Sequence, residues 1–420
     1  MRVTKIFFFP HVFMYLLRLV YMRFLAECVV VLAATYLSGC SDRTNTPSTT
    51  ISPGGIVDEL GERKMSPFGK SFSSPKFETP REYVKLFQDF IANKTFEYMN
   101  LQDREFNSSI SSSSLCPPKT VTIDSKVFTM NSRPSEKGSE STIFTTSDEQ
   151  LIVKRVDKDL EFLLDTLWRD EAALVLMEDA VGVSPIPLVD QGTSMSGGIC
   201  KLRTFVMTNE GMNTLYDLFA KNDGGTLDIE TALAIGRRAI RLVEQVHKRG
   251  LIHGDIHWGN FVYSNESDVP GSLKLIDYGR AMPYVDALTG QHLPPEMMKA
   301  RESPRFAWND AYLSLNELLG NPIGRRDDMF RLGEMLSFLV EGPDAILEKR
   351  PPRSRAAPEN MARPRGADRD VLVVKRHVIS KKRFRKLKQT TPKAIAQLYY
   401  TSQDMKLEDT PDYNVLDMYS

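Results

Sequence analysis

The residues best suited to chemistry fall in one run, His253-Gly254-Asp255-Ile256-His257-Trp258-Gly259-Asn260. It continues through Phe261-Val262-Tyr263 to Leu275-Ile276-Asp277-Tyr278-Gly279. Asn260 lies five positions after Asp255, and Asp277 lies 17 positions after Asn260. Asp255 can accept or orient the proton of an attacking hydroxyl. Asn260 offers a neutral oxygen and Asp277 a charged one, a pair suited to a hard cation carried by nucleotide phosphates. The chemistry implied is phosphoryl transfer from ATP with Mg2+ to a hydroxyl. Taken singly, each of these residues is also an ordinary turn residue. Their order between apolar runs carries the reading.

Rigid backbone must hold these groups. Leu251-Ile252, Phe261-Val262 and Leu273 to Ile276 read as short buried strands, and Gly279 allows a sharp turn after the second acid. Asp228 to Arg249 reads as an amphipathic helix, with Ile229, Leu233, Ile240, Val243 and Val246 near helical spacing and Gly250 as its stop. Upstream, Lys126 to Met130, Ser141 to Thr145, Gln150 to Val156 and Leu202 to Met207 read as strands, and Leu160 to Ala180 as a helix. A further helix is expected near Asp328 to Val340, and an earlier one over residues 79–100.

Phosphate also needs a cation, and Lys154 on the strand Leu151-Ile152-Val153-Lys154 is the candidate. A carboxylate on the next helix should hold its ammonium. Glu171 is the first choice and Asp170 the second. A phosphate-cradling loop should lie in Asn131 to Ser141, where Gly138 is the glycine and Ser139, Glu140 and Ser141 crowd the turn. His257 suits either a phosphate contact or packing, and Trp258 either a groove wall or the core. The basic run Lys381 to Lys388 reads either as a site for acidic substrate or as a solvated helix face.

The chain has 420 residues with 54 basic and 54 acidic side chains, so its formal net charge is zero. That balance argues against general nucleic-acid binding. Four cysteines (Cys28, Cys40, Cys116 and Cys200) are too few for a disulfide framework. Residues 1–40 are apolar with an uncharged run from Cys28 to Cys40, shorter than the ~20 residues of an ordinary span. They read as a signal peptide or membrane anchor, with Met22-Arg23 as a compact alternative start and Leu37 to Cys40 in the form of a lipoprotein processing site. The expected location is the secretory pathway, secreted or anchored; it is cytoplasmic if the segment is no signal. Glycosylation acceptor patterns begin at Asn93, Asn107 and Asn265. Residues 41–120 read as a Ser/Thr/Pro-rich linker with one helix, and 349–369 as an exposed Pro/Arg-rich loop.

With these motifs in view, the chain resembles a protein kinase of the casein kinase I group, nearest in its catalytic motifs to the vaccinia-related kinases. The resemblance rests on His253-Gly254-Asp255, on Asp277-Tyr278-Gly279 and on Gly324-Arg325-Arg326-Asp327-Asp328 through Gly333. Ser314 to Gly320, and Glu408 to Tyr413 as a final-helix entry, add to it. It covers about Val121 to the end. It implies an α+β, two-lobed protein-kinase-like fold behind the N-terminal signal or anchor and disordered linker. A small β-rich N-lobe would span about 121–207 and a larger helical C-lobe about 212–420. It implies Asp255 as the catalytic base, Asn260 and Asp277 as Mg2+ ligands, and Lys154 with Glu171 as the ion pair. Met207 would back the adenine pocket, Thr208, Asn209 and Glu210 would form its hinge, and Asp328 would brace the catalytic loop.

Two departures stand out. His257 replaces the usual lysine after the catalytic Asp, and the glycine loop is degenerate. Gly254 replaces the usual Arg, so activity should not need activation-loop phosphorylation. The expected function is Ser/Thr phosphorylation with ATP and Mg2+, on a protein substrate that is acidic or phosphorylated. The chain would act as a monomer, without nucleic acid, and touch membrane only through residues 1–40. Two rivals remain. One is a pseudokinase scaffold. The other is a small-molecule phosphotransferase of the aminoglycoside or choline kinase type, which shares His-Gly-Asp-x-His-x-Gly-Asn. The 51-position interval from Asp277 to Asp328 favours the protein kinase.

Overall fold

Strand and helix alternate along this chain as the apolar spacing changes from two to about 3.6 residues. The computed structural model describes residues 77–106, 120–177, 203–299, 313–342 and 378–417, with short interruptions in the second, third and last stretches. The expectations for residues 1–40 and 41–76, for Gly138 and Glu210, for the loop 349–369 and for the four cysteines lie outside the described residues.

The first element, α1 (Pro80–Phe106), is capped where Glu82 accepts from the Thr79 N–H at 3.0 Å and the Thr79 hydroxyl at 2.7 Å. Although expected within a linker, it buries Tyr83, Val84 and Phe87 in the main core. Strands β1 (Thr120–Ile123) and β2 (Lys126–Thr129) form an antiparallel hairpin. Strands β3 (Glu136–Lys137), β4 (Thr142–Thr145), β5 (Leu151–Arg155) and β6 (Thr204–Thr208) form a four-stranded antiparallel sheet in that order. Between β5 and β6 the chain makes α2 (Glu161–Leu176), which packs against α1.

The helical part follows β7 (Asn213–Thr214) and α3 (Leu215–Lys221). Helix α4 (Ile229–Lys248) starts where the Asp228 side chain accepts from the Thr231 N–H at 2.8 Å. Its buried stripe is Ala232, Ile235, Ala239, Ile240, Val243 and Val246, whereas Ile229 is exposed in the first turn. After it come β8 (Leu251–Ile252), β9 (Phe261–Tyr263), the single turn α5 (Val269–Ser272), β10 (Lys274–Leu275) and β11 (Met282–Pro283). Strand β9 lies between β10 and β7, and β8 pairs with β11, all antiparallel. Helices α6 (Leu315–Leu319), α7 (Arg325–Glu341) and α8 (Lys393–Asp404) complete the described elements. The fold is thus mixed α+β with small antiparallel sheets. Among the described residues no helix is long and apolar enough to cross a membrane.

Two sequence expectations change here. The Glu408 to Tyr413 segment does not open a helix; residues 413–417 form turns, and Tyr413 instead bonds His247 Nδ1 at 2.8 Å. The basic run is not a uniformly solvated face. Lys382 is buried against Glu334, and the Arg385 guanidinium bridges to Glu341 at 3.3 Å and stacks on Phe338 at 4.3 Å. Those two cations are engaged in buried ion pairs and packing.

Candidate active site

The run from His253 to Asn260 leaves β8 in a bend at Gly254. Gly254 has φ +72, and a Cβ there would come within 2.8 Å of the Arg280 carbonyl oxygen. An arginine could not take this conformation without strain, which accounts for the glycine. Asp328 on α7 accepts from the His253 N–H at 2.7 Å and the Gly254 N–H at 2.9 Å, and receives His247 Nε2 at 3.0 Å. A single buried carboxylate therefore anchors the backbone ahead of Asp255.

His253 is fully buried, and burial keeps its ring neutral by lowering its pKa. Its Nδ1 accepts from the Asp255 N–H at 3.2 Å, so its Nε2 carries the proton toward the Ile276 carbonyl at 3.1 Å. One imidazole thus ties the start of the run to the strand ahead of Asp277. Asn260 closes the loop: its Nδ2 donates to the Asp255 carbonyl at 2.9 Å, and its own carbonyl accepts from the Ile276 N–H at 2.9 Å. Asn260 and Asp277 are thereby held on adjoining backbone.

Asp277 has φ +64, a left-handed conformation that a non-glycine residue keeps only when its surroundings impose it. Its side chain is 44% exposed, so one oxygen can serve a ligand while Oδ1 receives Lys154 Nζ at 2.9 Å. The same ammonium lies 2.5 Å from Asp170 Oδ2, and Asp170 Oδ1 accepts from the Tyr278 N–H at 2.8 Å. Burial opposes the charge on Lys154, but the two carboxylates outweigh it and raise its pKa. Burial likewise works against ionised Asp277, and Lys154 overcomes it, so the Asp277 carboxyl is lowered. Ser141, Lys154 and Asp277 share a small cavity of about 20 Å³ with Thr166 and three apolar side chains.

The first-choice partner of Lys154 is corrected by this geometry. Asp170 takes the ammonium, whereas Glu171 pairs with Lys94 of α1 at 3.0 Å. Successive helical residues point about 100° apart, so the two carboxylates cannot both face β5. Met207 sits in β6 opposite Ile152 of β5, and Thr208 ends the strand. Asn209 donates through Nδ2 to the Glu149 carbonyl at 2.8 Å, binding the strand end to the β4–β5 turn.

Asp255 lies among three cationic or N–H-bearing side chains. Arg331 Nη1 is 3.3 Å from its Oδ1; His257 Nε2 and Arg280 Nε are 3.8 and 4.0 Å from its Oδ2. His257 Nδ1 accepts from the Gly259 N–H at 3.0 Å, which leaves the protonated Nε2 facing Asp255. Burial disfavours the Asp255 anion, yet His257, Arg280 and Arg331 together hold its carboxyl far below the usual carboxylate range. Arg331 also forms a two-pronged pair with Glu317 of α6, at 2.8 and 2.5 Å. Trp258 is buried and packs against Phe219 and Phe338, as its core alternative had it.

Arg280 and Arg331 were not among the sequence candidates. A signal existed for Arg331: it lies three positions after Asp328 on one face of a helix whose neighbours Met329, Phe330 and Leu332 are buried. A lone arginine among buried residues calls for a buried partner.

The donor set Asn260 and Asp277 fits a magnesium ion that keeps waters and takes phosphate oxygens. Such an ion is normally held through one or two protein carboxylates. Among the described residues no cluster of three or more His, Cys, Asp or Glu side chains could hold an ion by itself.

Comparison with known proteins gives a distant, partial similarity. Over 120 residues, 28% of this chain, it is 32% identical to casein kinase I homolog RAG8 of Kluyveromyces lactis and to casein kinase I homolog 1 of Saccharomyces cerevisiae. Over the same length it is 27% identical to casein kinase I homolog 1 of Schizosaccharomyces pombe. The aligned segment covers 22%, 21% and 26% of those three relatives, so the chain matches about a fifth to a quarter of their length. No protein-family model matches the chain.

Proposed function

We propose that this chain, distantly similar to casein kinase I homologs, is an ATP- and Mg2+-dependent serine/threonine protein kinase with a two-lobed arrangement of that type. The observation that carries the reading is the Lys154 ammonium shared by Asp170 and Asp277, on backbone tied through Asn260 to Asp255. A buried cation beside two carboxylates, joined to a third acid and an amide, suits a triphosphate and a hydroxyl.

In this reading Asn260 and Asp277 hold the magnesium of the nucleotide, which when bound neutralises charge developing on the phosphates. Lys154 supplies a fixed positive charge at the end of β5, and Asp170 keeps it from swinging away. Asp255 receives the substrate hydroxyl as a hydrogen-bond donor and aims it. Its lowered basicity is compatible with that role, because a loose phosphoryl-transfer transition state asks for positioning more than for early deprotonation. Met207 and Thr208 border the adenine side, with Asn209 clamping the strand end.

The test is transfer of radiolabelled phosphate from Mg-ATP to serine- or threonine-containing protein by the purified chain. Transfer that is lost in Asp255→Asn supports the reading, and equal behaviour of the two proteins sinks it. A nucleotide-binding scaffold is the second reading, favoured by the crowd of cations around Asp255. It predicts a magnesium-dependent thermal shift with ATP and no transfer to any hydroxyl. Residues 1–40 are proposed as a secretory leader or anchor, and N-terminal sequencing of the mature protein decides it.

A further inference from the structure

Helix α1 lies against α2 along one continuous stripe. Tyr83, Val84 and Phe87 enter the core, Phe90 and Ile91 pack at its edge, and Lys94 and Tyr98 follow at helical spacing. Tyr98 meets Trp168 with ring centroids 5.9 Å apart, and Lys94 meets Glu171 at 3.0 Å. As the number rises along one helix it falls along the other, so the pair is antiparallel. At its first turn α1 rests on the end of α4. A Cβ at Gly250 would come within 2.7 Å of Val84 Cγ2, and the Arg249 guanidinium lies 5.4 Å from the Tyr83 ring. Arg249 Nε in turn donates to the carbonyl of Leu176, the last residue of α2, at 2.9 Å. Helix α1 therefore grips α2 directly near its middle and through Arg249 at its end.

The consequence concerns rotation. Asp170 and Glu171 are neighbours on α2 and both are buried carboxylates. About 100° of helix rotation separates the orientation that offers Asp170 to Lys154 from one that would offer Glu171. The Lys94 ammonium, itself buried, gives Glu171 a partner on the side away from β5. We propose that α1 is a built-in brace whose Lys94 sets the rotation of α2, so that Asp170 and not Glu171 meets Lys154. Lys94 is then a positioning residue, acting on the phosphate-holding lysine from outside the site. The use of Lys154 for phosphate rests on the kinase reading; the brace itself does not.

The experiment uses the full chain and two readouts that need no ATP. Amide hydrogen exchange follows α2, with α7 as the internal reference. Competitive acylation with mass spectrometry follows the reactivity of Lys154. In Lys94→Met the α2 amides should exchange at least tenfold faster while buried α7 amides hold, and Lys154 should acylate severalfold faster. Lys94→Arg should restore both. Unchanged α2 exchange overturns the brace, as does joint loss of α2 and α7 protection, which would mean general destabilisation. Faster α2 exchange with unaltered Lys154 overturns the positioning role. If wild type transfers phosphate, Lys94→Met should lower kcat about tenfold, and equal kcat counts against the proposal. If wild type transfers none, the kinase reading fails while exchange and acylation still decide the brace.

Discussion

Arg331 Nη1 lies 3.3 Å from Asp255 Oδ1, while its Nε and Nη2 hold both oxygens of Glu317. One guanidinium thus joins the candidate catalytic acid to α6. Arg331 is 2% exposed, so its charge is removed from water and depends on these two partners. Arg331→Met alone should cost about 3–5 kcal/mol in urea melts, because it leaves the buried Glu317 carboxylate without its cation. Glu317→Gln combined with Arg331→Met should recover most of that stability and still transfer phosphate about 10²-fold more slowly, since Asp255 is no longer held in place. Full activity in the folded double variant would remove Arg331 from the mechanism.

The same contact sets a pH dependence. With His257, Arg280 and Arg331 present, burial is outweighed and the Asp255 carboxyl is depressed, so it stays ionised through the acid range of an assay. Taking Arg331 away removes one of these three holds and moves the carboxyl upward, with His257 and Arg280 still lowering it. The acid limb of kcat/KM in the double variant should therefore appear at higher pH than in wild type. An unmoved acid limb would show that Asp255 is not the group being read.

Lys154 discriminates between its two carboxylate neighbours in α2. Asp170→Asn should reduce transfer by about 10²-fold and weaken Mg-ATP binding, because the ammonium then has Asp277 alone to orient it. Glu171→Gln should have a smaller effect, since its amide can still accept from Lys94. Steady-state kinetics on both variants check this, and the reverse ranking would restore Glu171 as the direct partner.

Stability should fall as the solution is acidified, in two windows. Burial depresses the pKa of His247 and His253, so both stay neutral in the fold while their unfolded counterparts protonate below ~6.5. The unfolded chain then binds more protons, and stability declines as pH falls through ~6.5. Asp328 is buried as well, but the hydrogen bonds it accepts from His247 and from the His253 and Gly254 N–H groups outweigh that burial and lower its carboxyl. Its contribution is present above ~4 and is lost as pH falls below that. Calorimetric Tm against pH should show both declines. His247→Gln should flatten the upper one, and an unaltered slope would rule out His247 as its source.

Gly254 gives the most local prediction. Gly254→Ala introduces a Cβ at φ +72 against the Arg280 carbonyl oxygen, at a cost of about 1–3 kcal/mol. Because that strain falls next to Asp255, transfer should drop more than stability does. Thermal melts and single-turnover rates on one sample separate the two effects.

Much of the site is legible in order along the chain because it is local. Asp255, Asn260 and Asp277 lie within 23 positions, and short apolar runs on both sides mark the strands that carry them. The buried stripe of α4 and its Asp228 cap are equally local. Single-turn elements such as α5 and α6 escape such a reading, since each is too short to show a period. The basic run 381–388 misleads because sequence records charge and not what covers it. Glu334 and Glu341, far away in the chain, turn Lys382 and Arg385 inward.

The sequence by itself determined which acids, amide and lysine are available for phosphate chemistry, and the tertiary structure added why Gly254 stands at their turn. Only the tertiary structure decided which carboxylate meets Lys154 and which cation meets Asp255. Both choices depend on the rotation of a helix about its axis, of α2 for Asp170 over Glu171 and of α7 for Arg331. A helix has no preferred rotation of its own. Packing against α1, in the first case, and burial of α7 among α4, α6 and α8, in the second, supply it.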